Sequence, residues 1–246
     1  MIKNIAVIIQ YNGTRYSGWQ KQGNTNNTIQ SKLESILSQL SSSEIEIHGS
    51  GRTDAGVHAF AQTANFKIDT DQSPEELMGC INSLLPNDIA VTAAREVSPR
   101  FHSRLNAVKK TYRYRILTGN IPNVFSEKYT FHHKDPLNVG EMKKCISHLI
   151  GTHDFKSFTD NKKGNKSTVR TIESIDIIES GNEITIDLTG NGFLYHMARI
   201  IAGTLIEAGE GRTSSENISD IFKSHSRDAA GPLAPAKGLM LMKVYY

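Results

Sequence analysis

Two rhythms of apolar residues alternate along this chain, and each change of rhythm marks an element. The run "IKNIAVIIQY" near the start is rich in β-branched residues and reads as a buried strand. In "TIQSKLESILSQL", Ile29, Leu33, Ile36, Leu37 and Leu40 fall on one face of a helix. "EIEIHG" alternates as a strand until Gly49 stops it, and "AQTANFKI" is the next strand. "SPEELMGCINSLLP" opens a helix with Ser73, Pro74 and Glu76, a capping box with proline in the first helical position. "DIAVTAAREV" follows as a strand.

The second half repeats the style. A strand of mixed character over "RLNAVKKTYRYRIL" leads to a helix at "VGEMKKCISHLIG" and strands at "TIESIDIIES" and "EITIDLTG". A helix over 193–208, a short helix around "ENISDIF" and a final strand "GLMLMKVYY" complete the chain. Strands outnumber helices and the two interleave. The pattern therefore predicts an α+β fold of two similar halves with mixed, mostly antiparallel sheets. The halves are set at 1–104 and 105–246. No Pro/Gly-rich linker marks that boundary, which leaves one continuous sheet open.

Composition narrows the class. With 38% hydrophobic and 22% charged residues, the 246-residue chain reads as an ordinary soluble protein of one large or two smaller domains. The first apolar run ends within about ten residues and lacks a small-residue cleavage pattern, so a strand is expected there and not a signal peptide. No apolar stretch approaches the ~18 residues of a membrane helix. Two distant cysteines, Cys80 and Cys145, give neither a disulfide framework nor a zinc site, which fits a reducing cytoplasm. The net charge of +3 permits a polyanionic partner only if the basic residues cluster.

Three stretches carry candidate chemistry. "GSGRTDAGVHAFAQ" puts Arg52 and Asp54 among small residues. It is neither a dinucleotide fingerprint nor a P-loop, since Asp54 stands where a third glycine belongs and no lysine follows. A loop aspartate ordinarily caps a turn; the alternative is a nucleophile or base, with Arg52 holding a phosphate or a base edge. In "KKTYRYR", strand alternation sends Lys109, Thr111, Arg113 and Arg115 one way and Lys110, Tyr112 and Tyr114 the other. A cationic face and flat rings suit a flipped-out or single-stranded nucleic acid, whereas an exposed strand with solvated charges needs no ligand. In "GFLYHMARIIAGTLIEAG", Arg199 and His196 stand among Phe193, Met197, Ile200, Ile201 and Leu205. A buried arginine demands a carboxylate or phosphate, unless it snorkels to the helix edge. His196 reads as a hydrogen-bonded structural residue. "DTDQSPEE" is no calcium loop, because Pro74 stands where glycine is required. "FHHKD" lacks a third metal ligand and is expected to be a surface turn.

Taken together, "YNGTRYSGWQKQ", "TIQSKLE", "GSGRTDAGVHAFAQ", "INSLLPNDI", "FHSRLNAVKKTYRYRI", "GTHDFKSF", "GFLYHMARIIAGTL" and "GPLAPAKGLML" follow one another as family landmarks. The chain resembles the tRNA pseudouridine synthase A family along nearly its whole length. The resemblance implies an isomerase that converts uridine to pseudouridine in the anticodon stem and loop of tRNA, around positions 38 to 40, with no cofactor and no metal. It implies the pseudouridine synthase fold, with a central cleft flanked by helices, and a cytoplasmic homodimer on one tRNA. It makes Asp54 the catalytic aspartate and Arg199 its partner. Tyr112 would stack on the target base, Arg52 would help displace it, and Leu239 would line an apolar wall. Ala198 and Ile200 depart from the Val and Asn frequent beside that arginine, which bears on its rotamer. Two other classes fit some of the residues. A non-catalytic tRNA-binding or RNA-chaperone protein would have lost the aspartate, and a small-substrate nucleoside glycosidase would leave the "KKTYRYR" strand unexplained.

Overall fold

Most strands form where β-branched and aromatic residues concentrate, and most helices where a capping side chain precedes an apolar stripe. In a computed structural model describing residues 1–161 and 167–246, the elements are, in order, β1 (Ile2–Tyr11), α1 (Ile29–Ser41), β2 (Ile47–Gly49), β3 (His58–Asp69), α2 (Pro74–Leu84) and β4 (Ile89–Val97). There follow β5 (Lys109–Thr118), β6 (Phe131–His133), α3 (Val139–Leu149), β7 (Gly151–Asp154), β8 (Val169–Ser180), β9 (Glu183–Gly190), α4 (Met197–Gly209), α5 (Ser215–Ser224) and β10 (Leu239–Tyr245). The chain divides into two compact units, Met1–Val108 with Met240–Tyr246, and Lys109–Leu239.

In the first unit, β1 lies between β3 and β4, antiparallel to both, and β2 adds to β3. Ile5, Val7, Ile9 and Tyr11 of β1 are buried, with Phe66 and Ile68 of β3 beside them. Thr28 caps α1 through its side chain, and Ile29, Leu33 and Leu37 bury one stripe. The α2 start is the expected capping box, with Ser73 and Glu76 bonded reciprocally. The last strand returns to this unit, pairing Met240 and Leu241 in parallel with His58 and Ala59.

In the second unit, β5, β9, β8 and β7 pair in that order, each antiparallel to the next. Tyr112, Tyr114 and Ile116 turn into the core while the residues between them stay partly exposed. Ile184, Ile186 and Leu188 of β9 and Met142, Cys145 and Leu149 of α3 complete the buried layer. The architecture is the mostly antiparallel α+β type that the interleaved pattern predicts. Among the described residues, no helix is long and apolar enough to cross a membrane.

Two local expectations need correction. "FHHKD" is not merely a turn: Phe131–His133 pairs in parallel with Ile116–Thr118, and His133 Nε2 donates to Glu210 Oε1 at 2.9 Å. The helix expected over 193–208 begins only at Met197, because His196 takes a left-handed backbone, φ +65°, and breaks the first turn.

Candidate active site

Asp54 lies half-exposed in the turn that joins β2 to β3, and the backbone around it is pinned from several directions. The Tyr11 and Thr53 hydroxyls share a hydrogen bond of 2.8 Å, and the Trp19 N–H donates to the Thr53 carbonyl at 3.1 Å. The Val57 N–H closes the turn onto the Asp54 carbonyl at 3.1 Å, and the Gly56 N–H reaches Tyr16 O at 3.3 Å. Upstream, Ser50 Oγ donates to Gln62 Oε1 at 2.6 Å and Gln62 Nε2 to Gly51 O at 2.8 Å. A carboxylate so placed has little backbone freedom left, which is what a reacting group requires.

The brace is the segment "YNGTRYSGW". Gly18 has φ +90°, and a Cβ there would stand 2.6 Å from the Thr53 carbonyl oxygen. Gly13 is closer still, since its Cβ would meet Val57 O at 1.9 Å. Only glycine lets this segment run against the aspartate turn. The segment is itself held by Asp88, which accepts from Arg15 at 2.6 Å and from the Tyr16 hydroxyl at 2.6 Å. Burial pushes the Asp88 carboxyl up, but the hydrogen bonds from Tyr16 and Arg15 outweigh it and hold the group below its usual range. Burial, and then Asp88, push the Tyr16 hydroxyl up.

Arg52 is exposed, and its Nε–H donates to Gln20 Oε1 at 3.1 Å. Gln20 donates on to Gln30, and Gln30 to Glu34, which connects the turn to α1 through side chains. Sequence reasoning marked "YNGTRYSGWQKQ" and "TIQSKLE" as landmarks without finding this supporting role. The available signal was two glycines spaced among aromatic residues with no turn to explain them.

The second unit carries Tyr112, Arg199 and Leu239. Tyr112 is buried, with its ring edge-on to Phe193 at 5.0 Å. Arg199 is half-buried, the third residue of α4, and its Nε–H donates to Ala234 O at 2.7 Å. Tyr114 lies beneath, fully buried, its hydroxyl donating to Pro235 O at 2.9 Å. Burial raises that hydroxyl's pKa, and the Arg199 charge partly opposes the rise. Leu239 is buried at the start of β10. His196 is the structural histidine expected, its Nδ1 hydrogen-bonded to Asp160.

The cationic face expected of "KKTYRYR" is mostly neutralised. Asp187, directly opposite Arg113 on β9, accepts two hydrogen bonds from its guanidinium, each 2.7 Å. Glu183 accepts two from Arg115 at 2.6 and 3.1 Å, and Lys109 pairs with Glu173 at 2.8 Å. Arg15 is likewise paired with an acid, Asp88. Strand alternation was read correctly, but which acids stand across the ladder depends on register, which one strand does not encode. Arg104, a further base before this strand, is exposed, and Lys162 lies outside the described residues.

A family model described as tRNA pseudouridine synthase matches residues 7–106 and 145–246. The chain is 44% identical over 247 residues to a Clostridium tetani protein named tRNA pseudouridine synthase A 2, covering all of both chains. It is 43% identical over 245 residues to a Bacillus cereus protein of the same name and 41% identical over 245 residues to a Thermoanaerobacter tRNA pseudouridine synthase A, again covering all of each. Among solved structures, a chain of a Cbf5–Nop10–Gar1 complex aligns with 96% of this chain and 48% of its own at a TM-score of 0.39 and 11% identity. That likeness is too slight to bear on fold or function.

Proposed function

The chain belongs to the tRNA pseudouridine synthase family, and from that premise we propose that it isomerises uridine to pseudouridine in the anticodon stem and loop of tRNA, at positions 38 to 40. The reaction breaks the C1′–N1 bond, turns the uracil and rejoins it through C5. N1 gains a proton and C5 loses one, so nothing is oxidised and no group is transferred to another molecule. Such a reaction calls for no cofactor. It does call for a carboxylate, for a way to extract the nucleotide from its stack, and for groups that hold the freed base.

Asp54 supplies the carboxylate. The pinned turn around it carries this reading, because a carboxylate fixed by its backbone and flanked by Ala55 and Gly56 leaves room for a nucleotide. The family resemblance gives Arg199 the role of the aspartate's partner, a guanidinium being suited to pair with an acid. The Tyr112 ring is suited to stacking on the extruded uracil, Arg52 to displacing it, and Leu239 to an apolar wall behind it. The protein works in the cytoplasm as a homodimer, by the same family reading.

Tritium release from tRNA labelled at C5 of uridine tests the proposal directly. The expected result is release from whole tRNA, none from free uridine, and modified positions confined to the anticodon arm. Asp54→Asn abolishes release while filter binding of tRNA persists, because phosphate contacts supply most RNA affinity. Binding without turnover in the unaltered protein would favour a tRNA chaperone, and turnover of free uridine a nucleosidase.

A further inference from the structure

We propose that Asp160 is a positioning residue for the isomerisation, its carboxylate shared between His196 and Arg227 so as to fix both the backbone and the side chain of Arg199. The inference deepens the reading above and rests on the role given there to Arg199.

The first arm runs to the backbone. His196 precedes α4 with φ +65°, a conformation that a residue with a Cβ keeps only where its surroundings impose it. Its side chain does not cap the helix. The ring is turned elsewhere: Nδ1 donates to Asp160 Oδ2 at 2.5 Å, and Tyr195 stacks on it with centroids 3.7 Å apart. The Tyr195 carbonyl accepts from Thr159 Oγ1 at 2.9 Å, one residue before Asp160. The His196 carbonyl then receives the backbone N–H groups of Arg199 and Ile200, both at 3.0 Å. The first turn of α4, and with it the Cα–Cβ direction of Arg199, therefore follows the His196 conformation.

The second arm runs to the guanidinium. Asp160 Oδ1 accepts from Arg227 Nε at 2.8 Å. Arg227 also donates to Gly231 O at 2.9 Å and to Ala230 O at 3.3 Å. The segment so held is tied to α4, because the Gly231 N–H donates to Thr204 Oγ1 at 3.0 Å. Three residues on, Ala234 O accepts the Arg199 Nε–H at 2.7 Å and the Ala234 N–H returns to Arg199 O at 3.3 Å. One carboxylate thus governs where Arg199 starts and where its head is caught. Burial pushes the Asp160 carboxyl up, but His196 and Arg227 more than reverse that and keep it an ionised, two-armed acceptor.

Single-turnover and steady-state assays on whole tRNA, with melting temperatures measured alongside, test the inference. A displacement near 1 Å at a reacting group can cost about a hundredfold, so Asp160→Ala is expected to lower kcat about tenfold to a hundredfold. KM for tRNA should stay within about twofold, because no substrate contact is removed. Asp160→Asn should recover most of the loss. Its amide can donate to a neutral Nδ1 while its oxygen still accepts from Arg227. In an Arg199→Ala background, Asp160→Ala should cost nothing further.

A role limited to stability would lower the melting temperature and leave kcat unchanged, and that result overturns the inference while the reading of Arg199 stands. Losses that multiply in the double variant also overturn it, since Asp160 would then act independently of Arg199. Undiminished turnover in Arg199→Ala alone overturns both. If Asp160→Ala does not fold, Arg227→Gln carries the same comparison, because it removes one arm and keeps the Asp160–His196 bond.

Discussion

At the scale of single residues, the demand for small side chains around Asp54 is met from a distance in sequence. Gly18 is the clearest case. Its φ of +90° and the 2.6 Å approach of a notional Cβ to Thr53 O leave no relaxed position for alanine. Gly18→Ala should cost about 1–3 kcal/mol of stability from backbone strain alone. Because the displaced atom belongs to the residue before Asp54, kcat should fall at least about tenfold while tRNA affinity changes little. Thermal denaturation with single-turnover tritium release checks both. Unchanged kcat would show that the brace serves folding and not the placement of the carboxylate. Asp54 itself was legible in the sequence as an aspartate in an unusual turn. Its braces were not, because Tyr11, Gly13, Gly18 and Trp19 reach it only through the tertiary fold.

Elements were legible wherever a local signal set them. The capping box of α2 and the apolar stripe of α1 need nothing beyond their own residues, and both form as the pattern predicts. The start of α4 was misread by one turn because apolar periodicity continues through Phe193 and Leu194, while the left-handed His196 is imposed by Asp160, 36 residues earlier. The β5 ladder shows the same limit for charge. Alternation places Arg113 and Arg115 on one face, yet only antiparallel pairing brings Asp187 opposite Arg113 and Glu183, opposite Leu117, within reach of Arg115. Arg113→Ala should then act as loss of a partly exposed ion pair, lowering stability by about 1 kcal/mol or less. Its effect on tRNA affinity should be smaller than that of an arginine facing phosphate. Urea denaturation paired with filter binding tells the two apart, and a tenfold loss of affinity at unchanged stability would return Arg113 to the RNA face.

For the whole molecule, paired acids govern stability at low pH and unpaired bases govern binding. Asp88 and Asp160 are both held below their ordinary range in the folded chain. A depressed carboxylate contributes stability that is full above its unfolded pKa, ~3.9, and is lost as pH falls through the folded value. The melting temperature should therefore decline below about pH 4, and Asp88→Asn should flatten part of that decline. A decline of equal steepness in that variant would assign the acid sensitivity elsewhere. Binding follows from the net charge of +3, which is small for a tRNA partner. With Arg15, Lys109, Arg113 and Arg115 all held by acids, few of the basic residues singled out in the sequence remain to release counterions. Each phosphate neutralised contributes about 0.7–0.9 to the slope of log affinity against log salt. Arg104, exposed on the loop before β5, is expected to account for one such contact. Arg104→Ala should reduce the slope by nearly one unit, on the order of 0.7–0.9, whereas Arg113→Ala should leave it unchanged. Filter binding between about 50 and 200 mM salt measures both, and a slope that falls in Arg113→Ala but not in Arg104→Ala would reverse the assignment of the RNA-facing charge.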